Sequence, residues 1–178
     1  GESADPGGDA ALADAAELGG NVVTAAAATF GSGLVEGTDG FYMDTRAVLA
    51  WDEPFDALAA VTDTGHINAM ADNDGIIRHA LLYVDTPAGE RVNSFARTIY
   101  ERYATYHELD VTSLPETEDG FFYLPYSTAP GGYYDGVSFL DVLDGAVDPS
   151  YFAGKIVLIG PYAAGPPDEY RTPIDHAA

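Results

Sequence analysis

The stretch GHINAMADNDGIIRHALLYVDTPAGER, residues 65–91, decides the fold. Residues 66–70 alternate in the period of a strand, Asn73-Asp74-Gly75 is turn chemistry, and residues 76–84 predict a longer strand. Strand, turn and strand make a hairpin, and helical patterns flank it on both sides. Upstream, Pro54 starts a short helix over 54–61, with Asp52 or Glu53 near its N-terminus. Residues 31–40 (GSGLVEGTDG) carry four glycines and read as loop or a poorly ordered hairpin. In NVVTAAAATF, residues 21–30, the alanines are ambiguous, but Val22-Val23 after Gly19-Gly20 favour a buried strand. Asp9 can cap a helix over 10–18, with Leu12, Ala15, Ala16 and Leu18 as its apolar stripe. Residues 1–8 read as a disordered lead-in to a single domain, 9–178.

Downstream, Asn93 or Ser94 caps a helix over about 94–106 whose apolar face is Phe95, Ile99, Tyr103 and Tyr106. Residues 108–119 are polar loop, and FFYLPY (121–126) is a short strand or extended segment before a turn-rich stretch. Ser138 caps a short helix over 139–143, Gly145 closes it, and residues 155–160 (KIVLIG) predict the last strand. Helices and strands interleaved around one hairpin argue for an α/β domain, a mixed sheet with packed helices.

The charge is lopsided. The chain has 178 residues with 29 acidic against 7 basic, a net charge of −22, and Lys155 is its only lysine. Such a surface repels phosphate backbones and anionic lipid, which argues against nucleic-acid binding and direct membrane adsorption. The acidity reads either as function, the binding of cations, or as lineage composition that keeps the surface soluble; the acids are scattered and form no long run. There are no cysteines, so disulfides, thiolate metal sites and a Cys nucleophile are excluded. No apolar run approaches the roughly 20 residues of a membrane span, and no stretch reads as a signal peptide.

Several constellations carry weak chemistry. Asp72, Asn73 and Asp74 before Gly75 resemble the opening of a calcium loop, but Ala80 and Tyr83 stand where its later ligands belong. Asp72 and Asp74 are therefore weak metal candidates beside an ordinary turn. The four histidines show no zinc spacing, and no nucleophile elbow, dinucleotide fingerprint or phosphate loop is present. The tyrosine-rich stretches read as a sugar or peptide groove, or as core and rim. The loop after the last predicted strand is the better candidate. Ligands of open α/β sheets sit beyond the carboxyl ends of strands, and small residues let the backbone come close. Gly160, Tyr162, Ala163, Gly165, Asp168, Arg171 and Thr172 form that candidate site; the alternative is an ordered connection in which Asp168 pairs with Arg171.

These stretches also carry a likeness. DAALADAAELGGNVV, GHINAMADNDGIIRHALL, VSFLDVLDGAVDPSYFAGKIVLIG and GPYAAGPPDEYRTP resemble successive segments of the type 2 CHASE domain, an extracytoplasmic sensory module. The third is the most specific, with Ser138, Phe139, Asp141, Val142, Leu143, Gly145, Phe152, Gly154, Lys155, Val157, Ile159 and Gly160 in place. Tyr162 departs from the Thr usual in the family, and residues 31–60 and 105–135 match loosely. The chain reads as trimmed at both ends relative to the family, so its layering is expected to be incomplete.

The resemblance implies a non-enzymatic sensor on the extracellular side of the cell membrane, without cofactor. It would bind a small-molecule or ion ligand, act as a homodimer, and reach the membrane only through flanking helices outside this chain. Its output would be an adenylate or guanylate cyclase, a histidine kinase or a Ser/Thr kinase. Two other readings stand beside it: a small-molecule hydrolase using Asp/Glu and His, and an acidic surface adhesion domain.

Overall fold

The computed structural model describes residues 5–114, 120–127, 136–160 and 170–174. Within them the chain is a mixed α/β fold without a closed barrel. Helix α1 runs Pro6–Gly19. It begins earlier than the Asp9 reading placed it, because Asp5 accepts a hydrogen bond from Gly8 N at 3.0 Å and Pro6 occupies the first turn. Residues 6–8 are thus helix, not lead-in. Gly20, left-handed at φ +63°, ends α1 as expected, but Ala13 and Ala16 are its buried residues and Leu18 is exposed.

The main sheet has three strands in the order β2-β1-β3. Strand β1 (Val23–Gly37) pairs antiparallel with β2 (Gly40–Asp52) across the Thr38-Asp39 turn, and parallel with β3 (Asp63–His66). The alanine run alternates in burial, with Ala26 and Ala28 inside, as a strand requires. The glycine-rich residues 31–37, expected as loop or a poorly ordered hairpin, are the second half of a strand, and the hairpin alternative holds. A Cβ on Gly33 would stand 2.8 Å from Ala47 Cβ, and one on Gly31 would collide with Leu49, so these glycines give room to β2 side chains. Between β2 and β3 lies α2 (Asp56–Ala59), shorter than expected.

The parallel ladder is prolonged by a side chain. Asn68 accepts from Ala28 N at 2.8 Å and donates to Ala28 O at 2.6 Å, so its amide takes the place of a neighbouring strand's backbone. The predicted hairpin is present as a turn with a short ladder. Asp72 N donates to Ile76 O, Gly75 sits at φ +79°, and Ala69 bridges Ala80.

The single strand expected over 76–84 is split at Leu82. Its N–H turns to Gly120 O and its carbonyl to Ser94 N, which separates β4 (His79–Leu81) from β5 (Tyr83–Asp85). Strand β4 pairs with β7 (Phe121–Tyr123), and β5 with β6 (Arg91–Asn93) in a further hairpin that the sequence reading missed.

Helix α3 (Phe95–Tyr106) starts at Ser94, whose hydroxyl accepts from Arg97 N at 3.3 Å. It rests directly on β3: a Cβ on Gly65 would meet Phe95 Cα at 2.5 Å and Phe95 N at 2.8 Å. Its innermost residue is Ala104, while Tyr103 and Tyr106, expected on the buried face, are exposed. Helix α4 (Phe139–Leu143) follows Ser138 at the expected place, though the Ser138 side chain makes no capping hydrogen bond, and Gly145 at φ +71° closes it.

The last strand is not formed. Residues 155–160 are in no strand, and Leu158 and Ile159 are 71% and 80% exposed. The β-branched run has strand propensity, but among the described residues no strand lies beside it to supply ladder bonds. Among the described residues the buried core holds five alanines with Leu58, Ile77, Leu81, Leu82 and Val84, and it also encloses His66 and Ser94.

Candidate functional site

Among the described residues, two hollows stand out as places that could receive a ligand. The first is the corner around the Asp72–Gly75 turn, a hollow of about 550 Å³ lined by residues 70–74, Arg78 and His79. Arg78 closes on both carboxylates: Nη1 donates to Asp72 Oδ2 at 2.5 Å and to Asp74 Oδ1 at 3.0 Å, and Nη2 to Asp74 Oδ2 at 2.9 Å. The hydrogen bond from Arg78 holds the Asp74 carboxyl below its ordinary range, helped by the N–H of Ile76. Asp72 also lies 3.3 Å from His79 Nδ1. The two weak metal candidates are therefore engaged by a guanidinium, which repels a cation from the position between them.

The C-terminal segment meets this corner. Ile77 N donates to Arg171 O at 2.9 Å, and Arg171 forms a parallel bridge with Ile76. Thr172 Oγ1 is buried beside that bridge. Two residues of the expected loop site, Arg171 and Thr172, are thus brought against the turn that held the expected metal candidates. Gly160 is exposed at the end of the unpaired apolar run. Tyr162, Ala163, Gly165 and Asp168 lie outside the described residues.

The second place is larger, a cleft of about 890 Å³ between α3, β3, the end of β2 and the β5–β6 turn. None of its residues was named as a site from the sequence. One wall is the polar stripe of α3, Thr98, Glu101, Arg102 and Thr105, at the three- and four-residue spacing of one helix face. Facing it are Asp63 and Thr64 of β3, Asn93 of β6, and Trp51 with Glu53.

The polar groups hold one another. Arg102 Nε lies 3.0 Å from Asp63 Oδ2, and its Nη2 donates to Gly20 O at 3.0 Å, tying α3 to the end of α1. Glu101 accepts from Arg97 at 2.9 Å and from Asn93 Nδ2 at 3.2 Å. Trp51 Nε1 donates to Glu53 at 3.2 Å. At the rim Arg91 pairs with Asp85, whose carboxyl it holds low, and stacks over the Tyr83 ring at 3.7 Å. No histidine lines the cleft. Such an arrangement can seat a small polar molecule against fixed donors and acceptors.

The motif residues singled out in the sequence form a pattern too. Gly65 admits α3, Asn68 extends the sheet, and Asp72, Asp74, Gly75 and Arg78 lock one turn. Gly145 and Gly154 both take left-handed conformations between α4 and the residues after it. The family model of the CHASE2 domain matches residues 2–178. The chain belongs to the CHASE2 family. No curated protein and no solved structure matches it. CHASE2 domains are sensory extracellular domains of cyclase and kinase receptors, a sensory family and not a catalytic one. The CHASE2 motif residues named above shape the fold in this chain: they make turns, backbone contacts or the ion pairs that lock a turn. The cleft draws on residues outside those motifs, apart from the β3 strand that carries Gly65.

Proposed function

We propose that this CHASE2 domain is the ligand-sensing part of a membrane-bound receptor, whose output is an adenylate or guanylate cyclase, a histidine kinase or a Ser/Thr kinase across the membrane. The observation that carries the reading is the family match over residues 2–178. The 890 Å³ cleft supports it, because its walls come from separate elements whose spacing a ligand would fix. A ligand binding one arrangement of β3, α3 and the β5–β6 turn better than another shifts the population, and the output follows that shift. Two copies side by side in the receptor would convert the shift into a change between the paired cytoplasmic domains.

The test uses the full-length receptor in membranes. Ala88→Trp, on the exposed β5–β6 turn at the cleft, fills the cleft from its rim without touching the core. Cyclase or kinase output that no longer responds to the receptor's stimulus, with expression unchanged, supports the reading. A normal response in the variant removes the cleft from the sensory role.

A further inference from the structure

We propose that the cleft between β3, α3 and the β5–β6 turn takes an uncharged polyhydroxylated molecule, a neutral sugar or polyol. The inference rests on the sensory reading above and names the ligand class. Four observations carry it. First, twelve of the seventeen lining residues are polar or charged, five of them threonines, so a wholly apolar ligand would strand their donors and acceptors.

Second, the planar groups are fixed before any ligand arrives. Glu101 is held by Arg97 and Asn93, and Asp63 by Arg102. A carboxylate or guanidinium edge locked in this way meets two neighbouring hydroxyls at once, with little ordering cost on binding.

Third, charge selects against the alternatives. Arg102 and Arg91, the two cations of the lining, are each matched by an internal carboxylate. Glu53 and Glu90 carry no ion pair among the described residues. The surplus is negative in a chain of net charge −22, so phosphorylated or carboxylated ligands are repelled. Fourth, Trp51 lines the cleft and its N–H is already occupied by Glu53. That leaves the indole as a flat apolar surface, which suits the C–H face of a sugar ring. The volume of about 890 Å³ lies within the range of small-molecule sites.

Trp51 is the only tryptophan in the chain, so its fluorescence reports the cleft directly in the unmodified protein. The experiment titrates the purified domain with a panel of neutral mono- and disaccharides and linear polyols. The comparators are 1,4-diaminobutane and inorganic phosphate. At least one neutral member is expected to change Trp51 emission saturably, with little dependence on salt. Glu101→Gln is expected to weaken that binding by about tenfold with the circular dichroism spectrum unchanged.

The proposal is overturned if no neutral member changes the emission, or if 1,4-diaminobutane or phosphate binds more tightly than every neutral one. Binding that Glu101→Gln leaves untouched overturns it equally. Saccharide binding with a receptor whose output ignores the same saccharide would keep this site and sink the sensory reading. A failed panel alongside a receptor silenced by Ala88→Trp would do the reverse.

Discussion

His66 should make the domain acid-labile by a calculable amount. The ring is 1% exposed, and neither nitrogen has a hydrogen-bond partner among the described residues. Burial pushes its pKa down from 6.5 to about 4, because charging the imidazole there strips it of water without compensation. The unfolded chain therefore binds the proton more readily than the native state. The contribution of His66 to stability is complete above pH 6.5, falls as the pH drops through the interval to about 4, and is level below it. At ~1.4 kcal/mol per pH unit, that interval corresponds to about 3 kcal/mol.

His66→Leu keeps a similar volume and removes both the titration and the two unsatisfied polar atoms. Urea unfolding of both proteins across that pH range separates His66 from the carboxylates, which titrate in each. The variant should be the more stable by ~1–3 kcal/mol near neutrality, since an unpaired buried donor and acceptor are gone. Its advantage should widen by about 3 kcal/mol towards pH 4. Stability curves that stay parallel across the interval would refute the burial argument.

Other substitutions probe the joints of the fold and the loop. Gly65→Ala places a Cβ 2.5 Å from Phe95 Cα, against backbone that cannot rotate away; it should cost at least about 2 kcal/mol in urea unfolding, and a loss below half that would show the joint to be looser. Asn68→Asp keeps the acceptor for Ala28 N but loses the donor to Ala28 O, so it should cost ~1–3 kcal/mol while amide exchange at Ala28 stays protected. Rapid exchange at Ala28 in that variant would contradict the assignment. For the C-terminal loop, Asp168→Ala or Arg171→Ala should alter signalling of the whole receptor and leave the isolated domain folded; normal signalling in both would remove the loop from the sensory role.

Local chemistry was the legible part of the sequence. Ser94 before α3, Gly145 after α4, and the Asp72–Gly75 turn each follow from a short-range preference acting within four residues. Pairing was less legible. Gly31 and Gly33 left loop and hairpin both open because glycine weakens a strand, yet their role is to admit Leu49 and Ala47 from β2, which only the register reveals. The apolar run at 155–160 misled in the opposite sense: its side chains favour a strand, but a strand needs a neighbour, and none is present among the described residues. The cleft was invisible for a third reason. Trp51, Asp63, Asn93 and Glu101 come from separate stretches, and each alone reads as an ordinary surface residue. The α3 pattern was read through its tyrosines, whereas its Thr98–Glu101–Arg102–Thr105 stripe was the informative face.

The bare contact at Gly65 has a mechanical consequence. Side chains normally cushion a helix on a sheet, and their rotamers absorb small displacements. At this joint the backbone of Phe95 bears directly on the backbone of β3, so few rotamers stand between them to absorb a displacement of α3. Two residues beyond β3, Asn68 clamps Ala28 through both of its amide atoms, and the displacement passes into β1. The α3–β3–β1 unit is stiff in compression, a short lever with one end in the cleft and the other in the long β1–β2 hairpin.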